Sequence, residues 1–153
     1  MDIDPANPVA ALCAAGMAVE GDAEAAQRLF EQAWAVRTDD YDASIAAHFL
    51  ARHQPTVDAR VQWNTIAVRH AELVTDGRAR EFMASLYLNL ADALREAGDV
   101  ELATEYLRTA YARLVDLPEG GYRNFVEFGL ARLGSRLATP AALSDDELDK
   151  RTL

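Results

Sequence analysis

At 153 residues, half of them apolar and only five of them proline, the chain suits one domain with a real core, and disorder over most of its length is excluded. A net charge of −10 argues against nucleic acid or an anionic membrane surface as the main ligand, since both select basic patches. The single cysteine, Cys13, rules out an intramolecular disulfide. The opening Met1-Asp2-Ile3-Asp4-Pro5 lacks a basic secretory start, and no apolar run approaches the roughly 20 residues that span a bilayer, so a soluble cytoplasmic protein is expected.

The elements read as helices throughout, with no strand-period segment of any length. A first helix is expected over Pro8–Val19, carrying Val9, Leu12, Cys13 and Met17. Gly21-Asp22 turns the chain into a second helix, Ala23–Arg37, with Ala26, Phe30, Ala33 and Trp34 at helical spacing. Thr38-Asp39-Asp40 offers caps for a third helix, Tyr41–Arg52, whose stripe is Ile45, Ala46, Phe49 and Leu50. Gln54-Pro55-Thr56 breaks it, and a fourth helix runs over Val57–Val74 with Ala59, Trp63, Ile66 and Ala67. Thr75-Asp76-Gly77 precedes a fifth helix over Arg78–Ala97, with Phe82, Leu86, Leu90, Ala91 and Leu94 inward. A second Gly-Asp step, Gly98-Asp99, leads to a sixth helix over Val100–Asp116. After the stop Leu117-Pro118-Glu119-Gly120-Gly121 comes a seventh, Tyr122–Leu137, carrying Phe125, Val126, Phe128, Leu130 and Leu133. A short acidic tail from Ala138 holds Asp145-Asp146-Glu147, with one further helical turn expected there.

An internal repeat runs through this order. Gly21-Asp22 with Ala26, Phe30 and Ala33 returns as Gly98-Asp99 with Ala103, Leu107 and Ala110 at identical spacing. Ala59 and Trp63 form a degenerate middle copy, 33 positions after Ala26 and 44 before Ala103; the extra eleven residues are expected to lengthen the helices flanking Asp76-Gly77. In the first and third copies the Gly is expected to adopt the left-handed conformation that ends one helix, and the Asp to cap the next, while Gln54-Pro55 stands in for the Gly-Asp step in the middle copy. Such hairpins stack into open, curved binding surfaces.

The repeats resemble the tetratricopeptide family, whose unit is a helix-turn-helix hairpin of about 34 residues. Ala14, Ala47 and Ala91 match the family's small residue in the first helix, and Ala26-Phe30-Ala33 best matches its second-helix signature. The resemblance covers residues 8–117. It implies an all-α fold, a right-handed superhelical stack of hairpins at 8–37, 41–74 and 78–117, with a capping helix at 122–137, a single domain over 1–137 and a tail at 138–153. It also implies a concave face built from the first helix of each hairpin, where a protein or peptide partner binds. Carried over, those positions are Tyr41, Ser44, His48 and Arg52 from the second hairpin, and Ser85, Leu88, Asn89, Asp92, Arg95 and Glu96 from the third. The carboxylate clamp of chaperone-binding relatives would fall on Ala11, Ala15, Ile45, Ser85 and Asn89, so that clamp is missing.

Arg52 and Arg95, with Asp92 and Glu96, read either as a mixed-charge groove for a charged peptide or as an ordinary solvated helix face. His48 and His53 are five residues apart and do not share a helix face, and no metal-ligand spacing appears, so neither a metal nor a cofactor is expected. His53 and His70 are expected at the surface, and Trp34 and Trp63 in the core. Asp39, Asp40 and Asp42 lack the spacing of a calcium loop and read as helix caps. No catalytic constellation is found, and a non-enzymatic adaptor is the expected function. Val9, Ala11 and Leu12 offer apolar surface at the open end of the stack, so the alternative is a homodimer in which another copy fills that end or the groove.

Overall fold

The computed structural model describes residue 4 and residues 6–139; the acidic run of the tail and its expected helical turn lie outside them. Among the described residues the fold is all-α: α1 (Pro8–Ala18), α2 (Ala23–Ala35), α3 (Asp40–Ala51), α4 (Val57–Leu73), α5 (Met83–Glu96), α6 (Val100–Ala112) and α7 (Gly121–Ala138). Single 3-10 turns at Arg80–Phe82 and Arg113–Asp116 replace the first turn expected of the fifth helix and the last of the sixth. The extra residues between the second and third copies therefore lengthen α4 to 17 residues and build a linker, while α5 keeps 14. No described helix is long and apolar enough to cross a membrane.

Side-chain caps start most of the helices. Asn7, Asp22, Asp39, Thr56 and Asp99 each accept backbone N–H groups of the first turn of α1, α2, α3, α4 and α6, which otherwise lack partners. Gly98 has φ +87°, the left-handed geometry expected of a residue closing α5. Gly21 does not. The α1–α2 turn instead closes through short-range bonds from Val19, Glu20 and Asp22 N–H to Gly16, Met17 and Val19 carbonyls, so no positive φ is required there.

Each helix packs on its predecessor, α3 also touches α1, and α7 also touches α5. Small residues set the separations: Ala26, Ala33, Ala46, Ala47, Ala67, Ala84, Ala91, Ala103 and Ala110 are fully or nearly fully buried. In the first hairpin Gly16 makes the closest approach, not Ala14, which is exposed. A Cβ on Gly16 would stand 2.3–2.9 Å from the Phe30 ring, and Phe30 is itself stacked on Phe49 at 5.4 Å. Val9, expected at the open end, is wholly buried. Burial pushes the Cys13 thiol up to about 12, the environment of an inert structural cysteine.

The acidic cluster is mostly structural. Asp42, 4% exposed, accepts from Asn7 Nδ2 at 2.7 Å, Thr38 N at 3.0 Å and Thr38 Oγ1 at 2.9 Å. Asp40 instead pairs with His70 at 2.7 Å, and that half-buried ring stands edge-on to Trp34. His53 is likewise half-buried, with its ring 5.9 Å from Phe30, so neither histidine is the plain surface residue that periodicity implies. Trp34 and Trp63 meet edge to face at 5.1 Å, joining α2 to α4.

Replacing Asp42 with Ala removes the acceptor of three donors, the half-buried Asn7 amide and the backbone and hydroxyl of Thr38, so chemical denaturation should show a loss of about 2–4 kcal/mol. Gly16→Ala gains helix propensity but drives a methyl into Phe30; a net loss of about 1–3 kcal/mol is expected in the same assay.

Candidate functional site

The odd-numbered helices converge on one concave chamber. Its volume is about 510 Å³, with Ile45 and Phe49 of α3 and Leu86 and Leu88 of α5 on its walls. Met17 of α1 and Phe125 and Val126 of α7 complete it, and Met17 and Phe125 are 48% and 72% exposed on its rim. Heptad-like spacing on α3 and α5 puts these residues on one face with the polar Ser44, His48, Ser85 and Asn89.

At one end the chamber joins a polar recess of about 150 Å³, and His48, Arg52 and Asn89 line both. Burial, reinforced by the Arg52 charge, lowers the His48 pKa to about 4, so the ring is neutral at physiological pH. Asn89 Nδ2 stands 3.4 Å from His48 Nδ1. With Nδ1 accepting, the ring proton sits on Nε2, which has no hydrogen-bond partner among the described residues.

The charges around the recess are already spoken for. Arg52 makes a two-pronged contact with Glu20 in the α1–α2 turn, at 2.7 and 3.0 Å. Arg60 of α4 pairs with Glu96, and Arg95 bonds Asp92 at 2.9 Å. Arg136 of α7 approaches the same Asp92 at 3.8 Å. Glu20 is held below the ordinary carboxylate range, chiefly by its hydrogen bond from Arg52.

The structure separates the sequence-predicted residues into three groups. Ser44, His48, Arg52, Ser85, Leu88 and Asn89 come together on the chamber. Asp92 and Glu96 line the polar recess, and Arg95 lines neither, being turned onto Asp92 and Glu96. Tyr41 departs from expectation: it is 7% exposed, packed against Phe82 at 5.8 Å and covered by the Arg78 guanidinium, which Asp39 and Asp76 hold in place. A first-turn position in α3 lies under the following linker and not on the open face.

Sequence reading passed over α7 as a wall of the site. Val126, Leu130 and Leu133 are buried, but Phe125 and Phe128 are 72% and 66% exposed. Tyr122 donates to Ser85 Oγ at 2.9 Å and Leu88 packs so closely over Gly129 that a Cβ there would lie 2.8 Å from its Cδ2. The signal was present in the sequence: Tyr122, Phe125, Val126 and Gly129 continue the first-helix spacing of the hairpins.

The described residues hold no group of three or more His, Cys, Asp or Glu side chains arranged to bind a metal ion. No protein-family model, curated protein or solved structure matches the chain.

The buried neutral His48 gives a pH signature. Above about pH 6.5 the ring is uncharged in both folded and unfolded states; as pH falls from 6.5 toward 4 only the unfolded chain gains the proton, so stability falls. Thermal melts at pH 7 and pH 5 should show a drop in Tm for the native chain that is clearly smaller for His48→Gln.

Proposed function

We propose that the chain is a non-enzymatic, tetratricopeptide-like interaction module acting in the cytoplasm, with its hairpins stacked in a right-handed superhelix. A protein or peptide partner binds across the concave face of α1, α3, α5 and α7. The observation that carries this reading is the chamber whose walls come from exactly those alternate helices, rimmed by large exposed apolar side chains. Exposed Met17 and Phe125 cost stability in nothing and would bury apolar surface only when a partner covers them. Ser44, His48, Arg52, Ser85, Leu88 and Asn89 form the contact surface, with Asp92, Arg95 and Glu96 as its paired polar edge. The mutual pairing of the charges favours an apolar partner surface over a highly charged peptide.

A second reading is favoured by one observation, the neighbouring exposed Phe125 and Phe128 on α7: another copy of the chain covers that face.

Both are tested by using the wild type and a Met17→Glu, Phe125→Glu double variant as baits in lysate, with mass spectrometry of the captured proteins. Both positions are exposed, so the variant should melt within a few degrees of the wild type. A partner enriched by the wild type and lost with the variant is expected. Equal capture by both overturns the groove reading, and recovery of the chain alone, with a concentration-dependent sedimentation coefficient, establishes the homodimer.

A further inference from the structure

The chamber and the polar recess meet at a boundary drawn by three residues, and that boundary has the chemistry of a small-molecule site. A volume of about 510 Å³ falls within the roughly 300–1,000 Å³ of ligand pockets, which are apolar with a few convergent polar groups. The apolar part is deep, between Ile45, Phe49, Leu86 and Val126. His48, Arg52 and Asn89 stand where it meets the polar recess.

Charge accounting at that end selects the head group. Arg52 and Arg60 line the recess beside Asp92 and Glu96, and each of the four has an oppositely charged neighbour, so the recess carries both signs in balance. A charged head of either sign finds no unmatched counter-charge there. The uncharged groups are the ones with capacity to spare. His48 Nε2 has no described partner, and the carbonyl oxygen of Asn89 makes no hydrogen bond to the described residues. Together they present one donor and one acceptor, and the ring of His48 stays neutral because it is buried.

We propose that this chamber binds one uncharged amphiphile, an aliphatic or aromatic body with an amide or hydroxyl head, seated with its head on His48 and Asn89. The body lies along Ile45, Leu88 and Val126 beneath the rim of Met17 and Phe125. His48, Leu88 and Asn89 also belong to the contact surface proposed for a protein partner, so the amphiphile and the partner would compete for the chamber, and the probes below test the amphiphile alone.

The test uses the purified full chain and three primary amides, hexanamide, octanamide and decanamide, with octanoate and octylamine as charged counterparts of the middle one. Calorimetry should give one site per chain, with affinity rising about fourfold for each added CH₂. Octanamide should bind at least tenfold more tightly than octanoate or octylamine. In methyl NMR spectra the largest shifts should fall on Ile45, Leu88 and Val126. Asn89→Leu should weaken octanamide about tenfold and leave octanoate unchanged. Octanoate or octylamine binding as well as octanamide overturns the neutral-head assignment. Affinity indifferent to chain length, or shifts scattered away from these methyls, overturns the site itself. The lysate capture above neither uses these probes nor depends on their binding, so either reading can fail alone.

Discussion

The buried carboxylate of Asp42 is the tie between α1, α3 and the turn before α3. Asn7 accepts from Val9 and Ala10 N–H with its side-chain oxygen and, with its amide nitrogen, donates to Asp42. One residue thus caps α1 and hooks it to α3. The other oxygen of Asp42 holds the backbone and hydroxyl of Thr38, which fixes the turn between α2 and α3. Three chain segments, separated by as many as 35 positions, converge on a single group with little access to water, where an unmet donor is costly. The placement of α1 over α3 follows from it, and with that the position of Met17 above Ile45 and Phe49.

From that anchor the two-part character of the site develops by simple packing. Alanines let paired helices close up on the even-numbered side, while the longer Ile, Leu and Phe side chains of α3 and α5 face α7 across a gap. Gly129 lets α7 drop onto Leu88, and Ser85 receives the Tyr122 hydroxyl, so the far wall is pinned at two points. The polar end is tied by ion pairs between elements: Arg52 to the α1–α2 turn, Arg60 to α5, Arg136 to α5. Each exposed pair contributes little to stability, but together they neutralise the recess and decide which solutes it accepts.

The helical order was legible because it is periodic and locally punctuated. Asp22, Asp39 and Asp99 cap the helices that their positions announce, and Gly98 takes the left-handed turn. Gly21 occupies the matching position without it, since hydrogen bonds over three residues close that turn equally well. What the sequence could not reveal was pairing over distance. Arg52 meets Glu20 across 32 positions and Arg60 meets Glu96 across 36, and no local spacing rule predicts either. Burial of Tyr41 by the Arg78 linker is of the same kind: an irregular segment settles over a helix start, and only the folded chain shows it. Helical phase alone, by contrast, places Ser44, His48, Ser85 and Asn89 on the chamber together.

The two tryptophans have a separate consequence. Trp34 and Trp63 touch each other on α2 and α4, with the Arg37 guanidinium 3.7 Å from the Trp34 ring centre, and neither lines the chamber. The intrinsic emission of the protein is therefore a gauge of the seam between the first and second hairpins. Optically, the molecule carries its indicator away from the chamber: parting of α2 from α4 alters the signal, whereas events confined to the odd-numbered helices leave it still.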